Sequence, residues 1–242
     1  MAASCITMRG VNQFYGTRQV LTEISLEIGK GCIYGILGPS GCGKTTLVKA
    51  MAGILVPTTG TVEVLGQVMP QLAVMQQIGY MAQSDALYTN LSGKENMEFF
   101  GALYGLRRKD MELAVAKALD LVKLTEAQHK LVRSYSGGMK RRLSLAIAIL
   151  HQPQVLILDE PTVGIDPLLR QDIWKALYDM ARAGTTIVVT THVMDEANRC
   201  FQLLMMRDGC VLETGTPDEI KAKYGVSTIE EAFIVLGKAG GQ

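Results

Sequence analysis

An α/β fold built on a covered parallel sheet is the class this 242-residue chain predicts, and three observations carry it. Val155-Leu156-Ile157-Leu158 and Thr186-Ile187-Val188-Val189-Thr190 are continuous apolar runs of strand length, the pattern of strands buried on both faces. Cys32-Ile33-Tyr34-Gly35-Ile36-Leu37 is a third such run and leads straight into a glycine-rich loop and a helical segment. Hydrophobic residues make up 48% of the chain, enough for a sizeable core in one large or two small domains.

The elements follow in order. Ile24-Ser25-Leu26-Glu27-Ile28 alternates as a half-buried strand should, and Gly29-Lys30-Gly31 supplies turn chemistry before the buried run at 32–37. Lys44 to Gly53 reads as a helix that stops at its glycine. Thr61-Val62-Glu63-Val64-Leu65 is a short strand and Ile78 to Ala82 another. From Asn96 to Leu150 the period becomes helical, and about Asp85 to Leu145 reads as a mainly helical insertion. Within it, Leu113, Ala114, Ala118, Leu121 and Val122 are expected on one helical face. Arg207-Asp208-Gly209 is a hairpin turn, and the Gly237–Gln242 end is expected to fray.

Charge excludes one class of function. Lys plus Arg is 24 against 23 Asp plus Glu, so no basic bias points to nucleic acid. Cys5, Cys32, Cys42, Cys200 and Cys210 are odd in number and lack CxxC spacing, which fits a reducing compartment rather than a disulfide framework or a zinc site. No signal-peptide pattern opens the chain, and no apolar run approaches the roughly 20 residues that span a bilayer.

Three motifs carry chemistry. Gly38-Pro39-Ser40-Gly41-Cys42-Gly43-Lys44-Thr45 matches the Walker A pattern, between a buried strand and a helix start as the physics requires. Its glycines let backbone N–H groups converge on phosphate oxygens. Lys44 is placed to reach the β- and γ-phosphates, Thr45 to ligate magnesium, and Thr46 continues the anion-facing helix start. Cys42 sits inside this loop, where a helix N-terminus would lower its pKa and make it sensitive to maleimides, with ATP protecting; it is otherwise a small filler. Asp159-Glu160 ends an apolar strand, where acids open into the ligand crevice of a parallel sheet or simply cap a strand in solvent. Ser136 is a candidate N-cap in Tyr135-Ser136-Gly137-Gly138-Met139-Lys140-Arg141-Arg142. Its three cations oppose the helix dipole, so they either attract a docking anion or form a solvated basic face.

In this order the motifs resemble the nucleotide-binding domain of ATP-binding cassette (ABC) transporters, over about residues 5 to 225. The resemblance implies a P-loop nucleoside triphosphate hydrolase core, an N-terminal antiparallel β subdomain and a helical signature subdomain. It implies an ATPase domain over 1–225 with the helical part at about 85–145, then a short tail over 226–242. It also implies ATP and Mg2+ as ligands. Tyr15 would stack on adenine, Asp159 and Gln83 would join Thr45 at the metal, Glu160 would be the general base, and His192 would contact the γ-phosphate. Ser136, Gly137 and Gly138 would reach the γ-phosphate held by a second cassette, and Asp166, in Gly164-Ile165-Asp166-Pro167, would lie on the loop crossing that interface.

The expected activity is ATP hydrolysis powering a separate transmembrane permease from the cytoplasmic face of the membrane. A soluble ABC ATPase of an assembly or maintenance complex is the alternative. The chain departs from the family pattern at Tyr135, where Leu is commoner, at Met139, where Gln is commoner, and at Ala82, where Pro often precedes the glutamine. The Met variant with Lys-Arg-Arg, the Asn96–Leu106 segment and Ile229-Glu230-Glu231-Ala232-Phe233 resemble the branch that exports drugs, polysaccharides or lipids.

Overall fold

The computed structural model describes residues 4–239 except Asp85. Its central sheet has six strands: β3 (Ile33–Leu37), β6 (Ile78–Met81), β7 (Val155–Asp159), β8 (Thr186–Thr191), β9 (Gln202–Arg207) and β10 (Cys210–Gly215), in the order β10-β9-β3-β8-β7-β6. All neighbours pair in parallel except the β9–β10 hairpin. A second, antiparallel sheet joins β1 (Ser4–Tyr15), β2 (Arg18–Gly29), β4 (Thr59–Val64) and β5 (Gln67–Val68) in the order β2-β1-β4-β5.

The apolar runs are continuous because the parallel sheet is covered twice. Ile33, Leu37, Leu156, Leu158, Ile187 and Val189 face one core, shared with the helical insertion and α6 (Pro167–Arg182). Tyr34, Ile36, Val155, Ile157 and Val188 face the other, shared with α1 (Lys44–Met51) and the antiparallel sheet. Successive residues thus enter opposite cores, as the two-residue period of a strand requires. Full burial of such a side chain contributes about 1.5–3 kcal/mol.

Between β6 and β7 come α3 (Gly93–Leu103), α4 (Arg108–Leu121) and α5 (Gly137–Ile149), after the short α2 (Leu72–Met75). The expected helical insertion is therefore present, with Asp85 outside the described residues. Ser92 starts α3 with a full capping box against Glu95. The expected inner face of α4 is displaced. Met111, Val115, Ala118 and Leu119 are buried, followed by Val122, whereas Leu113 is 58% exposed. The buried set keeps the helical period; the expected set mixes it with the adjacent stripe, where Ala114 and Leu121 line a cleft.

The chain closes with α7 (Met194–Ala197), α8 (Pro217–Tyr224) and α9 (Ile229–Ala239). The described part of the tail, through Ala239, is helical. Ile229 and Ala232 anchor α9 in the core, and Arg207 Nη1 donates to the Gly237 carbonyl at 2.9 Å. Residues 240–242 lie outside the described residues. The turn at 207–210 is a two-residue hairpin, with Asp208 and Gly209 at φ 49° and 79°.

His151, just beyond α5, stacks on Tyr104 with ring centroids 3.6 Å apart and planes 3° apart. Burial pushes its imidazole down to about 4. Between the ordinary value of 6.5 and about 4 the unfolded chain binds the proton and the folded chain does not, so stability present above 6.5 declines as pH falls through that window. His151→Phe keeps the stack and removes the titration. Unfolding free energies from denaturant titrations at pH 7.5 and pH 5 should differ less in the variant, by about 1–2 kcal/mol after discounting partial exposure.

Candidate functional site

The phosphate loop begins one residue after β3. Gly38 packs so tightly that a Cβ there would lie 2.5 Å from the Met206 carbonyl oxygen. Gly43 caps α1 at φ 108°, a left-handed conformation that side chains disfavour. The chain therefore enters α1 with its first N–H groups turned toward the loop. Lys44 is 4% exposed; its Nζ donates to the carbonyls of Gly38 at 2.7 Å and Pro39 at 3.0 Å. The same ammonium lies 3.6 Å from Glu160 Oε1. Ser40, Gly41, Gly43, Lys44, Thr45 and Thr46 line a cleft of about 220 Å³ with Val20, Gln83 and Glu160. A larger cavity of about 550 Å³, lined by Ala114, Leu121, Ile149 and Met180 among others, is mainly apolar and has no Asp, Glu, His or Cys in its lining, so the chemistry belongs to the smaller cleft.

The loop is braced from behind. The Gly209 N–H of the β9–β10 hairpin donates to the Cys42 carbonyl at 3.0 Å, and Thr22 N–H donates to Gly209 O at 2.9 Å. Nothing in the loop motif reveals this brace.

The acids arrive on β7. Asp159 is fully buried, and its Oδ1 accepts from Thr190 Oγ1 of the neighbouring β8. Its Oδ2 is buried with no hydrogen-bond partner. An unbalanced buried carboxylate oxygen, near a cleft lined by Thr45 and Gln83, is the hard oxygen donor set that suits a magnesium ion. Glu160 follows at φ 53°, a left-handed backbone for a residue with a side chain. Its N–H donates to Thr190 Oγ1 at 3.0 Å and to Thr190 O at 3.2 Å. Its Oε1 lies 3.1 Å from His192 Nδ1, one residue past β8.

The structure thus gathers the phosphate loop, Gln83, Asp159, Glu160 and His192 at one edge of the sheet. It leaves the remaining candidates out of that cleft. Tyr15 sits at the β1–β2 hairpin, 51% exposed. Ser136 caps α5, its hydroxyl accepting from Met139 N–H at 3.2 Å. Gly138 abuts the 164–166 loop, where a Cβ would come 3.1 Å from Gly164 O. Asp166 spends a carboxylate oxygen on capping α6, accepting from Leu169 N–H at 3.0 Å.

In the basic run after Ser136, Arg141 and Arg142 turn to backbone carbonyls. Arg141 is 7% exposed. Its Nη1 donates to the carbonyls of Ala82 at 2.6 Å and Gln83 at 2.9 Å, while Nη2 donates to those of Asp159 and, at 2.8 Å, Glu160. Arg142 Nη1 donates to Val122 O and Lys123 O at 3.1 and 3.2 Å. These two guanidiniums face backbone carbonyls because those groups need donors where strands and helices end. Tyr135 also has a local reason: its hydroxyl donates to Ala127 O at 2.8 Å, tying the turn to the insertion.

Sequence reasoning missed Thr190 and Glu196. Glu196 is 2% exposed, accepting from the hydroxyls of Thr162 and, at 2.7 Å, Thr191. It joins the segment after Glu160 to the segment before His192. The available signal was a glutamate four residues beyond His192, which reads as surface charge until its burial is known.

A parallel sheet with a phosphate loop and paired acids at its strand ends defines a P-loop nucleoside triphosphatase. The sequence pattern of the ABC transporter family matches residues 21–163. The chain is 38% identical to the daunorubicin resistance ATP-binding protein DrrA3 of Streptomyces coeruleorubidus, over 99% of this chain and 76% of that protein. It is 38% identical to the Nod factor export ATP-binding protein I of Cupriavidus metallidurans, over 93% and 76%. It is 36% identical to the probable multidrug ABC transporter ATP-binding protein YbhF of Escherichia coli, covering 96% of this chain but 41% of that one. In fold, it matches a solved ATP-binding subunit of an ABC transporter with a TM-score of 0.90 at 24% identity, over 97% of this chain and all of the other. The chain belongs to the ABC transporter family, and ATP hydrolysis is its activity.

Cys42 corrects one expectation. It is 3% exposed, and burial raises its thiol pKa despite the nearby Lys44. Maleimide at neutral pH should label the exposed Cys210 first and Cys42 far more slowly, in the presence or absence of ATP. Peptide mass spectrometry over a labelling time course checks the order.

Proposed function

We propose that this chain is the ATP-hydrolysing cassette of an exporter, working in a pair on a separate membrane-spanning permease. One observation carries the reading. The chain holds a phosphate loop and a capped Ser-Gly-Gly helix start, and the second does not line the cleft of the first. A helix N-terminus of that kind suits an anion, and a second copy or sister cassette would present one.

In this reading, residues 38–46 hold the triphosphate and Tyr15 stacks on the base. Lys44 exchanges its loop carbonyls for phosphate oxygens, which offer the ammonium stronger acceptors. Thr45, Gln83 and Asp159 would hold magnesium, which neutralises charge on the phosphate oxygens when bound. Glu160 accepts the proton of the attacking water, and His192 holds the Glu160 carboxylate in place through the 3.1 Å contact while facing the γ-phosphate. Ser136, Gly137 and Gly138 close over the partner's nucleotide, with Asp166 on the loop alongside. We assign 1–225 to the ATPase domain and the α9 region to a short appended helix.

Among the described residues, no helix is long and apolar enough to cross a membrane. An aromatic patch supports a docked permease: Tyr88 and Phe99, 49% and 39% exposed, meet edge to face at 4.7 Å, beside Leu103 at 63%. Docking there would place the chain at the cytoplasmic face of the membrane. Relatives named for daunorubicin resistance and Nod factor export support export as the direction.

Glu160→Gln should bind ATP and accumulate a dimer on gel filtration, with turnover reduced about 100-fold or more. Near-normal hydrolysis by that variant would refute the assignment of the base. Lys44→Ala should weaken ATP binding by about 10-fold or more, measured by calorimetry; an unchanged Kd would remove the lysine from the phosphate site.

A further inference from the structure

Arg141 lies on the signature helix α5, five residues after its cap, yet its guanidinium touches the two segments that carry Gln83 and Glu160. Parallel strands β6 and β7 pair from Ile78↔Val155 to Met81↔Leu158, and the carbonyls of Ala82, Gln83, Asp159 and Glu160 lie just past the end of that ladder. Backbone carbonyls at such an edge need donors, and a buried planar fork of five N–H groups serves several at once. The Glu160 peptide is then pinned at both ends. Its N–H is held by Thr190, its carbonyl by Arg141, and its φ of 53° is a conformation that persists only when the surroundings enforce it. Its side chain direction follows from that backbone.

We infer that Arg141 is a positioning residue that couples the signature helix to the metal-side Gln83 and the base Glu160 of the same chain. This rests on the function proposed above, in which Ser136 serves the partner's nucleotide while Gln83 and Glu160 serve the chain's own. A shift of α5 on contact with the partner's phosphate reaches Gln83 and Glu160 through one rigid side chain. The four carbonyls that Arg141 holds, those of Ala82, Gln83, Asp159 and Glu160, belong to the segments after β6 and β7 and not to residues 38–46, so the coupling acts on turnover before it acts on nucleotide affinity.

The test uses the full-length chain carrying Arg141→Lys, with Arg141→Gln as a second variant that retains an amide donor. Glu160→Gln serves as the control for the underlying reading. We expect kcat to fall by about 10-fold or more while the Kd for ATP changes by less than about 3-fold, and the Mg2+ concentration for half-maximal activity to rise. Unchanged kcat in a folded lysine variant, or kcat and Kd worsening together, overturns the coupling. So does failure of both variants to fold, which would make Arg141 a stability residue alone. If Glu160→Gln itself turns over normally, the assignment of the base fails, whatever Arg141 does.

Discussion

Strands β3, β6, β7 and β8 run parallel and stop at one edge, and a functional candidate follows each within two residues: Gly38, Gln83, Glu160 and His192. Parallel pairing fixes this convergence. The ladder Leu37↔Thr191, Leu158↔Val189 and Met81↔Leu158 sets the heights at which the loops leave the sheet, so four distant stretches of chain meet without long-range design of the loops themselves. Both faces must be covered for such a sheet to exist, and that demand accounts for the antiparallel sheet on one side and the helices on the other.

Concentrating charge at a buried edge has an electrostatic consequence. Lys44, Arg141, Asp159, Glu160 and Glu196 are all at most 9% exposed. Each such ion loses hydration worth several kcal/mol unless partners replace the water. Lys44 has two carbonyls and Glu160, Arg141 has four carbonyls, and Glu196 has two hydroxyls. Asp159 is the exception, with one oxygen matched by Thr190 and the other unmatched. The imbalance falls at the position where a divalent cation makes chemical sense, which distinguishes a site for a ligand from a well-satisfied core.

Strands β3, β7 and β8 were legible because double burial removes the polar alternation that would make a short apolar run ambiguous. The phosphate loop and Asp159-Glu160 were legible because their residue types answer directly to phosphate and metal. Other features were hidden for physical reasons. β1 shows no clean alternation because its pairing with β2 shifts register between Met8 and Val11 and again near Gln13. The inner face of α4 was misjudged because two adjacent apolar stripes compete in its sequence. Arg141 looked like surface charge because a run of cations does not say which one the helix turns inward. Thr190 acts through its cross-strand neighbour Asp159, a relation that only the sheet order creates, and Glu196 acts through Thr162 of a loop distant in sequence.

The sheet order also bears on how the protein is made. β3 lies between β8 and β9, so Ile33 waits for Ile187 and Tyr34 for Gln202. At roughly 5–20 residues per second, the ribosome takes on the order of 8–30 s to deliver the roughly 150 residues between β3 and β8. Throughout that time β3, a strand buried along its whole length in the finished fold, and the glycine loop attached to it have no ladder to join. The antiparallel β1–β2–β4 sheet can assemble early and shelter one face of β3; the other face and both hydrogen-bonding edges remain open. Newly synthesised chains are therefore exposed to chaperone capture and to aggregation before any nucleotide site exists, and a chain cut short ahead of Thr186 would carry a phosphate loop in sequence with no parallel neighbour to hold it in shape.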